Sequence, residues 1–152
     1  MKILVAGENG QVATELRLQG EDSVHEVITQ GRDTLDIRDA ILVKQLINKI
    51  KPDIVINAAA YTAVDKAEEE IDQAYAINRD GARHLAESCN ALGIPLLHIS
   101  TDYVFDGSST SPYNEGDMVS PLGVYGQSKW AGEEVVRATI NEHIILRTSW
   151  VF

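Results

Sequence analysis

The turn Gly7-Glu8-Asn9-Gly10-Gln11-Val12-Ala13 constrains this chain more than any other stretch, because it comes directly after a short apolar run at the N-terminus and opens a helical pattern. Glycines at that place allow a tight strand-to-helix turn and let a pyrophosphate approach backbone N–H groups at a helix N-terminus. Ala13 is small enough for the helix to pack closely on the strand. Any βα connection can use glycine, so the turn takes its weight from the rest of the chain. There, β-rich runs alternate with helical patterns through the 152 residues. That alternation predicts a parallel sheet covered on both faces.

Strands are expected at 2–6, 25–29, 54–57, 95–100 and 144–147. Helices are expected at 11–19, 71–92 and 124–139, with another whose apolar positions are Ile41, Leu42, Leu46 and Ile50, capped by Asp39 and ended by Pro52. Ala74, Ile77, Gly81, Ala82, Leu85, Cys89 and Leu92 make the buried stripe of the long helix, which Gly93 ends. The acidic run Glu68-Glu69-Glu70 reads as a solvated helix start. Loop 58–67 is rich in small residues, and the polar loop 106–122 is long enough to suggest a function. The expected fold class is therefore α/β, a doubly wound parallel sheet (Rossmann fold), with 1–152 forming one NAD(P)-binding domain. The apolar end Ser149-Trp150-Val151-Phe152 reads as a strand leaving the sheet, so the chain is expected to be the first part of a longer protein.

A formal charge of −10 argues against a nucleic-acid partner. No apolar run nears the roughly 20 residues that cross a bilayer. The start lacks a signal-peptide pattern, and Cys89, the single cysteine, forms no internal disulfide, so the cytoplasm is the expected compartment. His25, His84, His98 and His143 show no ligand spacing, and no metal site is assigned.

Three further stretches carry chemistry. After the second strand, Arg32 is placed to accept the 2′-phosphate of NADPH, while the adjacent Asp33 leaves NADH open. Tyr125 and Lys129 stand four residues apart on one helical face. Carbonyl reduction needs an acid at the oxygen as hydride reaches carbon, and a neighbouring ammonium is expected to lower the phenol pKa and to hold the nicotinamide ribose. The fourth strand ends in Ser100-Thr101-Asp102, which sets hydroxyls at the sheet edge where ligands bind. Thr101 can there donate to a substrate carbonyl.

The strings G-E-N-G-Q-V (7–12), N-A-A-A-Y-T-A-V-D-K-A-E (57–68), S-T-D-Y-V-F-D-G (100–107), V-Y-G-Q-S-K (124–129) and R-T-S-W-V (147–151) together resemble the extended short-chain dehydrogenase/reductase family, and within it the dTDP-4-dehydrorhamnose reductases. The resemblance implies reduction of the 4-keto group of a dTDP-sugar, dTDP-4-dehydro-L-rhamnose, to dTDP-L-rhamnose by NADPH, with NADH as a second cofactor. It implies that Thr101, Tyr125 and Lys129 are catalytic and that Gly7, Gly10, Gln11 and Val12 hold the pyrophosphate. Asp36 and Ile37 would meet the adenine, Ala60, Tyr61 and Thr62 the nicotinamide side, and Thr101, Asp102 and Val104 the sugar. A homodimer is implied for the full-length form. Some relatives use the position of Glu15 in a divalent-metal site; here Glu15 reads as a solvated glutamate.

Two departures stand out: Ala13 replaces a third glycine, and the C-terminal domain that binds the substrate nucleotide does not come after Phe152, so this stretch is expected to bind cofactor without turnover. Dehydratases of this fold carry glutamate after the threonine–aspartate pair, where Tyr103 stands here, which favours reduction over elimination, and a related sugar-nucleotide epimerase or dehydratase is kept as an alternative. A non-catalytic regulatory subunit of the same fold stays open.

Overall fold

The structure is a computed structural model and describes residues 1–149. Strands β1 (Lys2–Ala6), β2 (Glu26–Gln30), β3 (Ile54–Asn57), β4 (Leu96–Thr101) and β5 (His143–Thr148) form one parallel sheet in the order β2-β1-β3-β4-β5. The strand bounds differ from those expected by a residue or so. Strands covered on both faces become continuous apolar runs. Leu4, Val5 and Ala6 are accordingly all fully buried.

Helix α1 (Gln11–Glu21) packs Ala13 against Val5 and Ile56 on one face. On the other face α2 (Ala40–Ile50), α5 (Ala82–Leu92) and α6 (Val124–Thr139) enclose the larger core, which includes Leu4, Val55, Leu85, Leu96 and Val136. The sheet is thus doubly wound and Rossmann-like, as expected. At its edge, Ile144 and Leu146 of β5 stay exposed.

Three expectations change. Asp39 does cap α2, accepting from Ile41 N at 2.9 Å and Leu42 N at 3.0 Å. The face that α2 buries, however, is centred on Val43 and Ile47, with Leu46 and Ile50 packed beside them as expected, and Ile41 is 70% exposed. The long helix runs unbroken from Ile71 to Leu92 as expected but is not regular: α4 (Ile71–Tyr75) passes into a π-helical segment (Ala76–Gly81) before α5. Its stripe is buried as far as Cys89, but Leu92 is exposed. Loop 58–67 contains a short helix, α3 (Val64–Ala67). The apolar end at 150–152, expected to leave the sheet, lies outside the described residues. Among the described residues no helix is long and apolar enough to cross a membrane.

The π segment has a visible cause. Asn78, buried within it, accepts from Tyr61 N at 2.9 Å and donates to Tyr61 O at 3.2 Å and to Ser128 Oγ at 2.9 Å. The widened turn carries this side chain inward, and functional sites often contain such π turns. On the facing helix, a Cβ at Gly132 would collide with the Asn78 carbonyl, so α6 approaches as closely as it does only because that position is glycine.

Candidate active site

Strand order reverses between β1 and β3, and the C-terminal ends of strands flanking such a switch point open a crevice. A cleft of about 340 Å³ lies there, lined by Gly7, Gly10, Gly31, Arg32, Asp36, Ile37, Arg38, Ala60 and Thr62 among others. Gly7 sits at φ 110°, and a Cβ on it would lie 2.8 Å from the backbone of Ala58 and Ala59. Conformation and space both require glycine. Gly10 is the N-cap of α1 and contributes no side-chain cap, which leaves first-turn N–H groups for an anion. Gln11 and Val12 open the helix, but neither side chain is among those lining the cleft. This cradle fits a dinucleotide pyrophosphate.

Asp36 accepts from Arg38 Nε at 2.9 Å, and Arg32 Nε stands 3.7 Å from its other oxygen. The Arg38 hydrogen bond holds the Asp36 carboxyl down at about 2, against the opposing effect of burial. Sequence reasoning missed Arg38, although its place two residues beyond Asp36 offered a signal. Ile37 is only 4% exposed and forms floor rather than wall, with Gly81 pressed against it. Tyr61 does not face the cleft. Its ring is buried with Ala67 and Ala74, and its hydroxyl donates to Glu70 Oε2 at 2.8 Å.

A second cleft, about 370 Å³, opens beyond the end of β4 and is lined by Asp102, Tyr103, Tyr113, Leu122 and Tyr125 among others. Glu68 orients the helix beside it: its carboxylate accepts from Val124 N at 2.7 Å and caps α6, whose own N-cap, Gly123, has no side chain to do so. The acidic run is therefore more than a solvated helix start. Tyr125 meets Tyr103 edge to face, with ring centroids 5.4 Å apart. Tyr103 itself is half exposed at the rim.

Thr101 caps the 3-10 turn Asp102–Val104, accepting from Tyr103 N and donating to Asp102 Oδ1, both at 3.2 Å. The same turn rolls Val104 fully into the interior, so Val104 lines neither cleft, contrary to expectation.

The ammonium is inside and the phenol is half-buried. Burial pushes the Tyr125 hydroxyl up from its ordinary value, Thr101 pulls it down, and Asp102 and Tyr103 raise it. Lys129 is 3% exposed and donates from Nζ to the Ile99 carbonyl at 2.6 Å. Burial lowers its pKa to about 8, with Glu133 acting in the opposite sense. The expected lowering of the phenol by Lys129 is thus not what this arrangement produces; burial dominates and keeps Tyr125 protonated at neutral pH, the state an acid needs.

Sequence reasoning also missed most of the buried polar residues behind these groups. His98 is 1% exposed, with Nδ1 3.0 Å from Asn57 Nδ2 and its Nε2 without a partner among the described residues. Burial first, and then Lys129 and Arg137, hold His98 well below its ordinary pKa and therefore neutral. Glu133 is completely buried, bound by Ser100, Arg137 and Arg147. Glu15, by contrast, is exposed on α1.

The family model for the RmlD substrate binding domain matches residues 1–152. A dTDP-4-dehydrorhamnose reductase of Sinorhizobium fredii is 48% identical over 152 residues, an alignment that covers 100% of this chain and 51% of that protein. The crystal structure of a dTDP-4-dehydrorhamnose reductase from Clostridium acetobutylicum superposes with a TM-score of 0.97 at 43% identity, over 100% of this chain and 54% of that one. The Bacillus anthracis dTDP-4-dehydrorhamnose reductase in complex with NADP gives 0.94 at 39% identity, over 99% and 54%. The chain spans about half the length of the curated relatives it matches.

Proposed function

The chain belongs to the RmlD substrate binding domain family, and from that premise we propose that it is the cofactor-binding, proton-donating half of an oxidoreductase that reduces dTDP-4-dehydro-L-rhamnose to dTDP-L-rhamnose with NADPH. The observation that carries this reading is the opening of the glycine cleft and the Tyr125 cleft along the same C-terminal end of one parallel sheet. Reduction of a ketone needs hydride from one side and a proton at the oxygen, and these two clefts divide that work.

A nicotinamide cofactor, when bound in the first cleft, would supply the hydride that reduces C4 of the sugar. Gly7 and Gly10 admit the pyrophosphate to the N-terminus of α1. Arg32 and Arg38 at the rim suit a 2′-phosphate, and Asp36 between them suits a ribose hydroxyl, which supports NADPH with NADH as a second cofactor. Ala60 and Thr62 face the nicotinamide end.

Tyr125 transfers its phenolic proton to the carbonyl oxygen, which becomes the new hydroxyl, and Thr101 turns its hydroxyl from Asp102 to that oxygen. Lys129 offers positive charge to the phenolate left on Tyr125 and to the cofactor ribose. Asp102 and Tyr103 begin the sugar site. No metal enters this scheme. The cytoplasm is the proposed compartment, and a homodimer the proposed full-length assembly.

The deciding experiment gives the protein, in its full natural length, NADPH and the keto-sugar nucleotide, and monitors cofactor absorbance. Consumption of NADPH coupled to dTDP-L-rhamnose is expected. NADPH binding without consumption, together with a stoichiometric protein partner, would turn the reading toward a non-catalytic subunit.

A further inference from the structure

We propose that Glu133 is a positioning residue for the reductive site: its buried carboxylate clamps α6 to β4 and β5, and so sets Lys129 and Tyr125 against the end of β4. This inference rests on the reductase reading above. Two consecutive residues of β4 each engage one turn of α6: the Ile99 carbonyl accepts from Lys129 Nζ at 2.6 Å and Ser100 Oγ donates to Glu133 Oε1 at 2.6 Å. The next residue, Thr101, ends the strand. Residues 125, 129 and 133 repeat at four-residue intervals, so they share one helical face. Glu133 is the deepest of the three and is wholly enclosed.

Its remaining partners come from two other directions. Arg147 of β5 donates twice, from Nε at 2.9 Å and from Nη2 at 2.7 Å, and Arg137 on α6 donates from Nη2 at 2.7 Å. The two guanidiniums are held in turn over the Trp130 ring, at 5.0 and 5.6 Å from its centroid. A buried ionised carboxylate is costly unless its lone pairs are filled, and a fully bonded one resists displacement. The carboxylate therefore fixes where α6 lies along β4, on the side where that strand ends in Thr101.

Glu133 has an electrostatic part as well. Among the described residues, the charged and titratable groups around Lys129 are Glu133 and Tyr125 on α6 and His98 on β4, with Arg137 on α6 and Arg147 on β5 surrounding Glu133. Glu133 is the one anion among them, and its charge supports the lysine's positive form. Removing that charge leaves three cations facing a neutral histidine.

The test uses the full-length protein with NADPH and the keto-sugar nucleotide. Glu133→Gln is expected to lower kcat on the order of 10- to 100-fold, the scale of a reacting group displaced by about an ångström. KM for NADPH should move less than about threefold, because the glycine cleft is built elsewhere. The alkaline limb of the pH–rate profile should shift to lower pH, which loss of stability alone does not produce. Should that variant fold poorly, Glu133→Gln combined with Arg147→Gln removes the stranded cation; its melting temperature should return toward wild type while kcat stays depressed. Wild-type kcat with an unmoved alkaline limb, in either folded variant, overturns the proposal.

If the wild-type protein consumes no NADPH, the reductase reading fails, and the positioning role is decided by NMR titration of labelled lysine and tyrosine. A Lys129 midpoint displaced in Glu133→Gln supports the clamp, and an unmoved one overturns it.

Discussion

Behind β1 the cleft wall is backbone, with Gly7 at φ 110°, Gly10 as a cap without a side chain, and Ala58 and Ala59 close enough to exclude a Cβ. Beside β4 the wall is made of buried polar side chains, with Ser100, Thr101, Ser128, Lys129 and Glu133 all nearly or wholly shut from solvent. The first region obtains its binding capacity by omitting atoms, so that main-chain N–H groups stay available. The second obtains reactivity by enclosing charge, which raises one pKa and lowers another. One end of the molecule should therefore respond to added volume, the other to altered charge and proton inventory.

Tyr125→Phe should produce the largest effect and the sharpest separation. It removes one oxygen at the side-chain-built end, and kcat is expected to fall by roughly 10²- to 10⁴-fold, the usual worth of a positioned acid. NADPH affinity, measured by fluorescence titration, should not change; if it falls with turnover, the division between the two regions is wrong.

Gly7→Ala is the converse. Positive φ and the collision with Ala58 and Ala59 together should cost about 1–3 kcal/mol. Expressed in binding, that is a rise in the NADPH dissociation constant of about 5- to 150-fold. Calorimetry showing unchanged affinity and unchanged melting would remove the basis for a backbone-built cleft.

The pH dependence sharpens the contrast further. Lys129 titrates near 8 in the folded protein against an ordinary 10.5, so the rate should fall as pH rises through about 8. Stability moves the other way: between about 8 and 10.5 the unfolded chain holds this proton and the folded one does not, so the group's contribution improves as pH rises through that window. Asp36 in the glycine cleft, held near 2, stays ionised throughout. A rate profile with no alkaline limb near 8 would show that the enclosed ammonium is not coupled to turnover.

Asp39→Ala should have the smallest effect. It removes the α2 cap, distant from the Tyr125 cleft, at a cost of about 1 kcal/mol. Melting should drop by a few degrees with kcat and NADPH affinity intact; a change in either would mean that α2 communicates with the site.

The legible features were those whose cause is local. A glycine forced by a turn and a tyrosine four residues before a lysine are both recorded in adjacent letters. Helix α2 illustrates the limit of patterning: of Ile41, Leu42, Leu46 and Ile50, Leu46 and Ile50 do pack on the core, yet the fully buried positions are Val43 and Ile47 and Ile41 is exposed, because several faces of so apolar a helix could have served. Tyr61 and Val104 were placed near ligand by their position in a motif, but side-chain direction was set by Glu70 in one case and by a 3-10 turn in the other. Asn78 and Glu133 were out of reach for a different reason. Their distant partners lie 17 and 50 residues away for Asn78, and 14 and 33 for Glu133, and the one local partner of Glu133, Arg137 four residues on, makes a pair that a solvated helix face shows equally well.

The π segment at Ala76–Gly81 also sets a rule for how this chain can change length. A wide turn holds one residue more than an α-turn, and each residue of helix advances the face by about 100°. Deleting a single residue there would heal the helix into regular geometry and rotate one half against the other. Either Ala74 or the Leu85–Cys89 side would then leave the core, and Asn78 would lose Tyr61 and Ser128 together. Substitutions at its half-buried positions Arg79 and Asp80 are survivable one by one, whereas Asn78 and Gly81 are held by their contacts, and a one-codon deletion is a change of phase. Apart from Asn78 and Gly81, the stretch should accordingly tolerate drift in its letters and none in their number.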